Sequence, residues 1–214
     1  MRRVLRDRHG KTEGDSSVSP HIDYYLSTSS PWSYLGSGRF IDIVKETGAT
    51  VGVHAVDFGA VFAVSGGLPL PKRAPQRQAY RWMEMKRWRD SLGIPLVLEP
   101  KAFPITTPIS SLAIIAARES DADALALSDA LLTALWRDDR DTGDTDVVKA
   151  VADEVGLDGA ALVEAAPGYA DRLTADTQKA IDAGVFGAPS YVLPDGEIFW
   201  GQDRIDLLRW RLGL

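Results

Sequence analysis

The sequence predicts an α/β fold interrupted by a large all-helical insertion. Three observations predict it. An apolar run, Ile22 to Leu26, leads into a helical pattern and then a β-branched, alternating run from Thr50, the order of a βαβ unit. From about 108 to 167 the chain is rich in alanine and leucine, broken by Gly143, Gly156 and Pro167, with no alternating stretch. Strand signals then return on both sides of Pro194-Asp195-Gly196, the residues of a tight hairpin turn.

Composition narrows the function classes. The chain has 214 residues, 45% hydrophobic and 25% charged, enough to bury a core without covalent staples. A net charge of −6 argues against nucleic acid as a partner. The absence of cysteine excludes disulfides, thiolate metal ligands and redox work by the protein's own thiols. His9, His21 and His54 are scattered without ligand spacing, so no metal site is expected. No run approaches the ~18 apolar residues of a membrane span. Residues 1–19 read as a polar, mobile tail without the apolar core of a secretory signal. A cytoplasmic protein is the expectation.

The elements follow in order. Strand one covers about 21–27. Helix one runs from Pro31 to Thr47, with Leu35, Phe40, Ile43 and Val44 near one face and Gly48 as its stop. Strand two is expected over Thr50 to Phe58, parallel to strand one because a helix separates them. The glycines and prolines of Ser65 to Pro75 predict an irregular loop. A long amphipathic helix, about 75–92, mixes Tyr80, Trp82, Met83, Met85 and Trp88 with Arg77, Arg81, Lys86, Arg87 and Arg89. Helices are predicted over 108–118, 121–137, 144–155, 159–166 and 169–183, then the hairpin and a last helix from about Asp203. Without the insertion, β-α-β followed by α-β-β-α is a thioredoxin-like fold. The predicted parts are therefore a tail (1–19), a thioredoxin-like domain (20–67 and 168–214) and a helical lid (68–167).

Ser29-Ser30-Pro31-Trp32-Ser33-Tyr34 sits where strand one ends and helix one begins. Proline at the first helical position suits a helix start. The free N–H groups and positive dipole end of that helix face the Ser30 side chain and would stabilise an anion there. Read alone, the stretch favours the plainer role, in which Ser30 is only an N-cap. A serine hydrolase would need a histidine base, for which His54 is the candidate, and the chain has no Gly-x-Ser-x-Gly elbow.

Ser30-Pro31-Trp32-Ser33-Tyr34, Gly184-Val185-Phe186-Gly187-Ala188-Pro189 and Phe199-Trp200-Gly201-Gln202-Asp203-Arg204 together resemble the 2-hydroxychromene-2-carboxylate isomerase family. That family is related to kappa-class glutathione transferases and belongs to the DsbA-type branch of thioredoxin folds. The resemblance covers about residues 21–212. It implies glutathione as cofactor, with Ser30 donating a hydrogen bond to its thiolate where a redox relative carries cysteine. It implies a cis bond before Pro189 and backbone pairing of Val185 with the cysteinyl part. Gly201, Gln202, Asp203 and Arg204 would then hold the γ-glutamyl end.

The implied reaction interconverts 2-hydroxychromene-2-carboxylate and trans-o-hydroxybenzylidenepyruvate, or a related aromatic-degradation intermediate, by reversible thiolate addition without net redox change. Trp32, Lys72, Arg73, Arg77, Arg81 and the aromatic side chains of the long helix are candidates for binding the aromatic carboxylate substrate. Three positions differ from the family's pattern: Ser27 where aspartate is common, Gly66-Gly67-Leu68-Pro69 where an asparagine is common, and Arg77 where a lysine is common. The alternatives are a kappa-like glutathione S-transferase and a non-catalytic glutathione-binding protein. Relatives of this kind imply a homodimer.

Overall fold

The computed structural model describes residues 19–214. The predicted tail, apart from Ser19, lies outside the described residues. β1 (His21–Leu26) and β2 (Thr50–Ala55) run parallel, His21 opposite Thr50 and Leu26 opposite Ala55. α1 (Pro31–Thr47) connects them and stops at Gly48, whose φ of 65° closes the helix in the left-handed region.

Strand two is shorter than the sequence predicts, and a helix follows that the sequence reading did not assign. The Asp57 side chain accepts the Gly59 N–H at 2.8 Å and caps α2 (Phe58–Ser65). Phe58 and Val61 then face the sheet as helical neighbours rather than as alternating strand residues. In the glycine- and proline-rich loop, Leu70–Lys72 forms one 3-10 turn. α3 is Pro75–Leu92, with proline in its first turn and Gly93 at its end.

The helical insertion continues with α4 (Ile109–Glu119), α5 (Ala124–Trp136), α6 (Thr145–Glu154) and α7 (Gly159–Ala165). α4 is apolar nearly all round and is correspondingly buried from Leu112 to Ala117. Aspartates 123, 144 and 158 cap α5, α6 and α7. The chain then returns to the sheet through α8 (Ala170–Asp182), β3 (Ser190–Val192) and β4 (Ile198–Trp200). It ends with a 3-10 turn, Gln202–Arg204, and α9 (Ile205–Arg211).

The sheet order is β2-β1-β3-β4, with β3 antiparallel to both neighbours. Alternation along β1 serves two layers. Ile22, Tyr24 and Leu26 enter a large core with Leu35, Phe40 and Ile43 of α1, and that core continues through α4, α5 and α6. Tyr25 faces a smaller core with Val56, Phe58, Val61, Ala180 and Val185, under α2 and α8. Each fully buried large side chain contributes about 1.5–3 kcal/mol, so the two cores together fix the position of the β1–α1 corner. This is a thioredoxin-like fold with a helical insertion. No described helix is long and apolar enough to cross a membrane.

Candidate active site

The β1–α1 corner positions Ser30. Its N–H donates to the Ser27 carbonyl at 3.0 Å, and its own carbonyl accepts the Tyr34 N–H at 3.1 Å. Its Oγ accepts the Ser33 N–H at 3.2 Å, so Ser30 is the N-cap of α1. A hydroxyl that accepts there still carries one O–H to donate. Capping and donation to an anion are therefore compatible roles. The first turn of α1 holds no acidic residue to neutralise the positive helix end. Pro31 has no N–H, and the Trp32 N–H has no partner among the described residues.

Beside this corner lies a cavity of about 460 Å³. Four aromatic side chains wall it: Trp32 from α1, Tyr80 and Trp88 from α3, and Trp200 from β4. Gly201 to Arg204 close one side and Ala188 another. The Ala188–Pro189 peptide is cis, and the Gly201 N–H donates to the Pro189 carbonyl at 2.8 Å. That bond ties the turn after β4 to the loop before β3. Among the described residues, neither the N–H nor the C=O of Ala188 has a hydrogen-bond partner. Gly187 lets the Trp200 indole lie against the loop, because a Cβ there would fall 2.2 Å from Trp200 Nε1. Trp200 in turn meets Phe186 edge-on at 4.7 Å.

The residues expected from sequence distribute unevenly. Trp32, Arg77, Arg81, Gly201, Gln202, Asp203 and Arg204 stand in the cavity wall, together with Arg73. Ser30 and Pro189 flank it through their neighbours Trp32 and Ala188. Lys72 is exposed on the 3-10 turn and outside the lining. Val185 is also outside: it is 2% exposed in the smaller core, and its N–H donates to the Ala180 carbonyl at 2.9 Å. The residue of this loop that lines the cavity is Ala188, which the sequence reading did not single out. Gln202 is buried, with its main-chain carbonyl 2.8 Å from an Arg39 guanidinium nitrogen that also reaches its side-chain oxygen. Asp203 is paired with Arg204 at 2.6 Å.

Arg81 is the unusual group in the wall. It is 7% exposed, and its Nη1 has no hydrogen-bond partner. Its guanidinium carbon lies 5.4 Å from the Trp82 ring and 5.7 Å from the Phe103 ring. Burial, reinforced by the nearby Arg73 charge, lowers its pKa to about 10.

His54, the candidate base of a hydrolase, is committed elsewhere. Its Nε2 is 2.8 Å from Asp23 and its Nδ1 is 3.0 Å from Asp176. Arg118 Nη1 and Lys179 Nζ also lie 3.1 Å from Nδ1 and Nε2, but each has a carboxylate oxygen of its own. The arrangement with both ring nitrogens donating to carboxylates therefore favours the imidazolium. Burial pulls its pKa down, and the bonds to Asp176 and Asp23 reverse that, leaving it raised. Lys179 at 3.0 Å from Asp23 and Arg118 at 2.7 Å from Asp176 complete the network.

A family model for the DSBA-like thioredoxin domain matches residues 21–213. A 2-hydroxychromene-2-carboxylate isomerase of Sphingobium xenophagum is 31% identical over 193 residues, which cover 87% of this chain and 95% of that protein. The glutathione S-transferase kappa 1 of Caenorhabditis elegans is 28% identical, covering 88% of this chain and 89% of its own. Among solved structures, a 2-hydroxychromene-2-carboxylate isomerase superposes with a TM-score of 0.77 at 26% identity, covering 90% of this chain and 94% of its own.

Proposed function

Because the chain belongs to the DSBA-like thioredoxin family, within its 2-hydroxychromene-2-carboxylate isomerase branch, we propose that it is a glutathione-dependent isomerase. Its reaction is the interconversion of 2-hydroxychromene-2-carboxylate and trans-o-hydroxybenzylidenepyruvate, or of a closely related aromatic-degradation intermediate. The observation that carries this reading is the Ser30 corner: a serine N-cap with a spare O–H, on a 17-residue helix with an uncompensated positive end, next to an aromatic-walled cavity.

The residues present fit glutathione. Bound there, it supplies the nucleophilic sulfur that a chain without cysteine lacks. Ser30 donates its O–H to the thiolate, an interaction of about 1.5–3 kcal/mol, or one to two pKa units. Ala188 offers a free N–H and C=O for strand-like pairing with the cysteinyl backbone. Gly201 to Arg204 receive the γ-glutamyl end, Asp203 its ammonium and Arg204 its carboxylate. The aromatic walls hold the substrate ring, and guanidinium groups of Arg73, Arg77 and Arg81 orient its carboxylate and stabilise negative charge as it develops. A cytoplasmic homodimer belongs to the same proposal; sedimentation should give twice the 23.3 kDa chain mass, and a monomer alone would remove that part.

The test is turnover with substoichiometric glutathione and 2-hydroxychromene-2-carboxylate. Many product molecules per glutathione, with the thiol titre unchanged, is the expected result. One thiol lost per turnover would establish the transferase reading, which the kappa-class relative supports. Saturable glutathione binding with no product would leave a binding protein.

A further inference from the structure

The positive charge in the cavity exceeds what one carboxylate needs. Two acidic side chains stand in the wall, Glu84 and Asp203. Both are taken: Glu84 by Arg87 at 2.6 Å and Asp203 by Arg204 at 2.6 Å. Arg73, Arg77 and Arg81 share the same wall without a carboxylate partner among the described residues. Arg73 spends its Nε on the Leu68 carbonyl at 2.7 Å. The Arg77 side chain makes no hydrogen bond among the described residues, and Arg81 is buried with Nη1 unpaired. Arg77 and Arg81 are four residues apart on α3, hence on one face. A buried guanidinium without a counter-charge is costly, and the Trp82 and Phe103 rings offset only part of that cost. A ligand carboxylate seated there would supply the missing counter-charge and hydrogen-bond acceptor.

We infer that the cavity takes an aromatic substrate bearing two acidic groups, one seated on Arg81 at the buried end and the second on Arg73 and Arg77. Of the related aromatic-degradation intermediates named in the preceding section, the inference selects one with a second acidic group over 2-hydroxychromene-2-carboxylate itself. It rests on that section only in taking this cavity as the substrate site. It does not require glutathione. Arg81 is then the residue that sets specificity, because a fork of N–H donors buried among aromatic rings accepts a planar carboxylate in one orientation. A carboxylate supplied by bound glutathione is the competing source of the second negative charge, and the test separates the two.

The experiment is calorimetric titration with trans-cinnamate and with trans-4-carboxycinnamate, first without and then with saturating glutathione. The expected result is at least tenfold tighter binding of the dicarboxylate in both arms, falling more steeply with added salt than that of cinnamate. Arg81→Met should reduce the preference to threefold or less. Arg77→Gln changes an exposed side chain, so it tests the claim even if Arg81→Met fails to fold, and it should also narrow the preference. Equal affinities, or an unchanged preference in Arg77→Gln, would overturn the inference. So would a preference that vanishes once glutathione is bound, since the second charge would then be the cofactor's. A missing glutathione thiolate would count against the isomerase reading alone and leave the glutathione-free arm intact.

Discussion

Ser30 caps α1, and the proposed function gives the same hydroxyl a second role as donor to a thiolate; substitutions can pull the two apart. Ser30→Ala removes both the cap and the O–H donor. It should cost about 1 kcal/mol of stability, whereas Ser30→Gly should cost only a few tenths. Both variants should lose thiolate stabilisation equally. Urea midpoints read the first effect and glutathione absorbance the second. If Ser30→Gly kept the thiolate, the hydroxyl would be only a cap. The sequence made Ser30 visible because a serine followed by a proline stands at the junction between a strand pattern and a helical pattern. It could not distinguish Val185 from Ala188 as the residue at the cavity, because both lie in one irregular run before β3. The choice depends on which N–H the end of α8 takes, and Ala180 takes that of Val185.

At the scale of elements, two glycine positions predict opposite outcomes for the same added methyl. At Gly159 a Cβ would lie 2.2 Å from the Lys149 backbone carbonyl, where α7 abuts α6. Backbone cannot yield cheaply, so Gly159→Ala should cost about 1–3 kcal/mol in urea unfolding and leave ligand affinity alone. At Gly187 the obstacle is the Trp200 indole, 48% exposed and able to swing away. Gly187→Ala should cost about 1 kcal/mol or less, yet weaken binding of aromatic carboxylates, because a cavity wall has moved. Equal stability losses in the two variants would contradict this. The long helices were legible from apolar periodicity and their Gly stops. α2 was not, because Val51 to Phe58 alternates like a strand and only the Asp57 side chain on the Gly59 N–H ends it. The aromatic cavity wall was half legible: α3 announced its rings and arginines, while Trp200 gained its place only once the hairpin brought β4 beside the Ala188 loop.

Across the whole molecule, the Asp23–His54–Asp176 network links β1, β2 and α8, and it makes stability pH-dependent. Burial raises the Asp23 pKa, but bonds to His54 and Lys179 outweigh it and hold the carboxyl well below the usual range. Its contribution is therefore present above about pH 4 and is lost as pH falls. His54 is raised in the folded state, so its contribution is full below about pH 6.5 and is lost as pH rises through the folded value. The network should stabilise most between about pH 4 and 6.5. Urea midpoints should fall from pH 6 to pH 9 in the wild type, and His54→Asn should flatten that slope. A wild-type midpoint rising over this interval would contradict the imidazolium assignment.

The central claim is that this fold activates a thiol it does not itself possess. Its most direct measurement is the ultraviolet absorbance of the glutathione thiolate on mixing with the protein at pH 7, in the wild type and in Ser30→Ala. A free thiol, with a pKa of about 8.5, is only a few per cent ionised at that pH. A thiolate band with the wild type that falls to the free-thiol level with Ser30→Ala is the predicted result. No band with either protein would contradict it and remove glutathione from the proposed function.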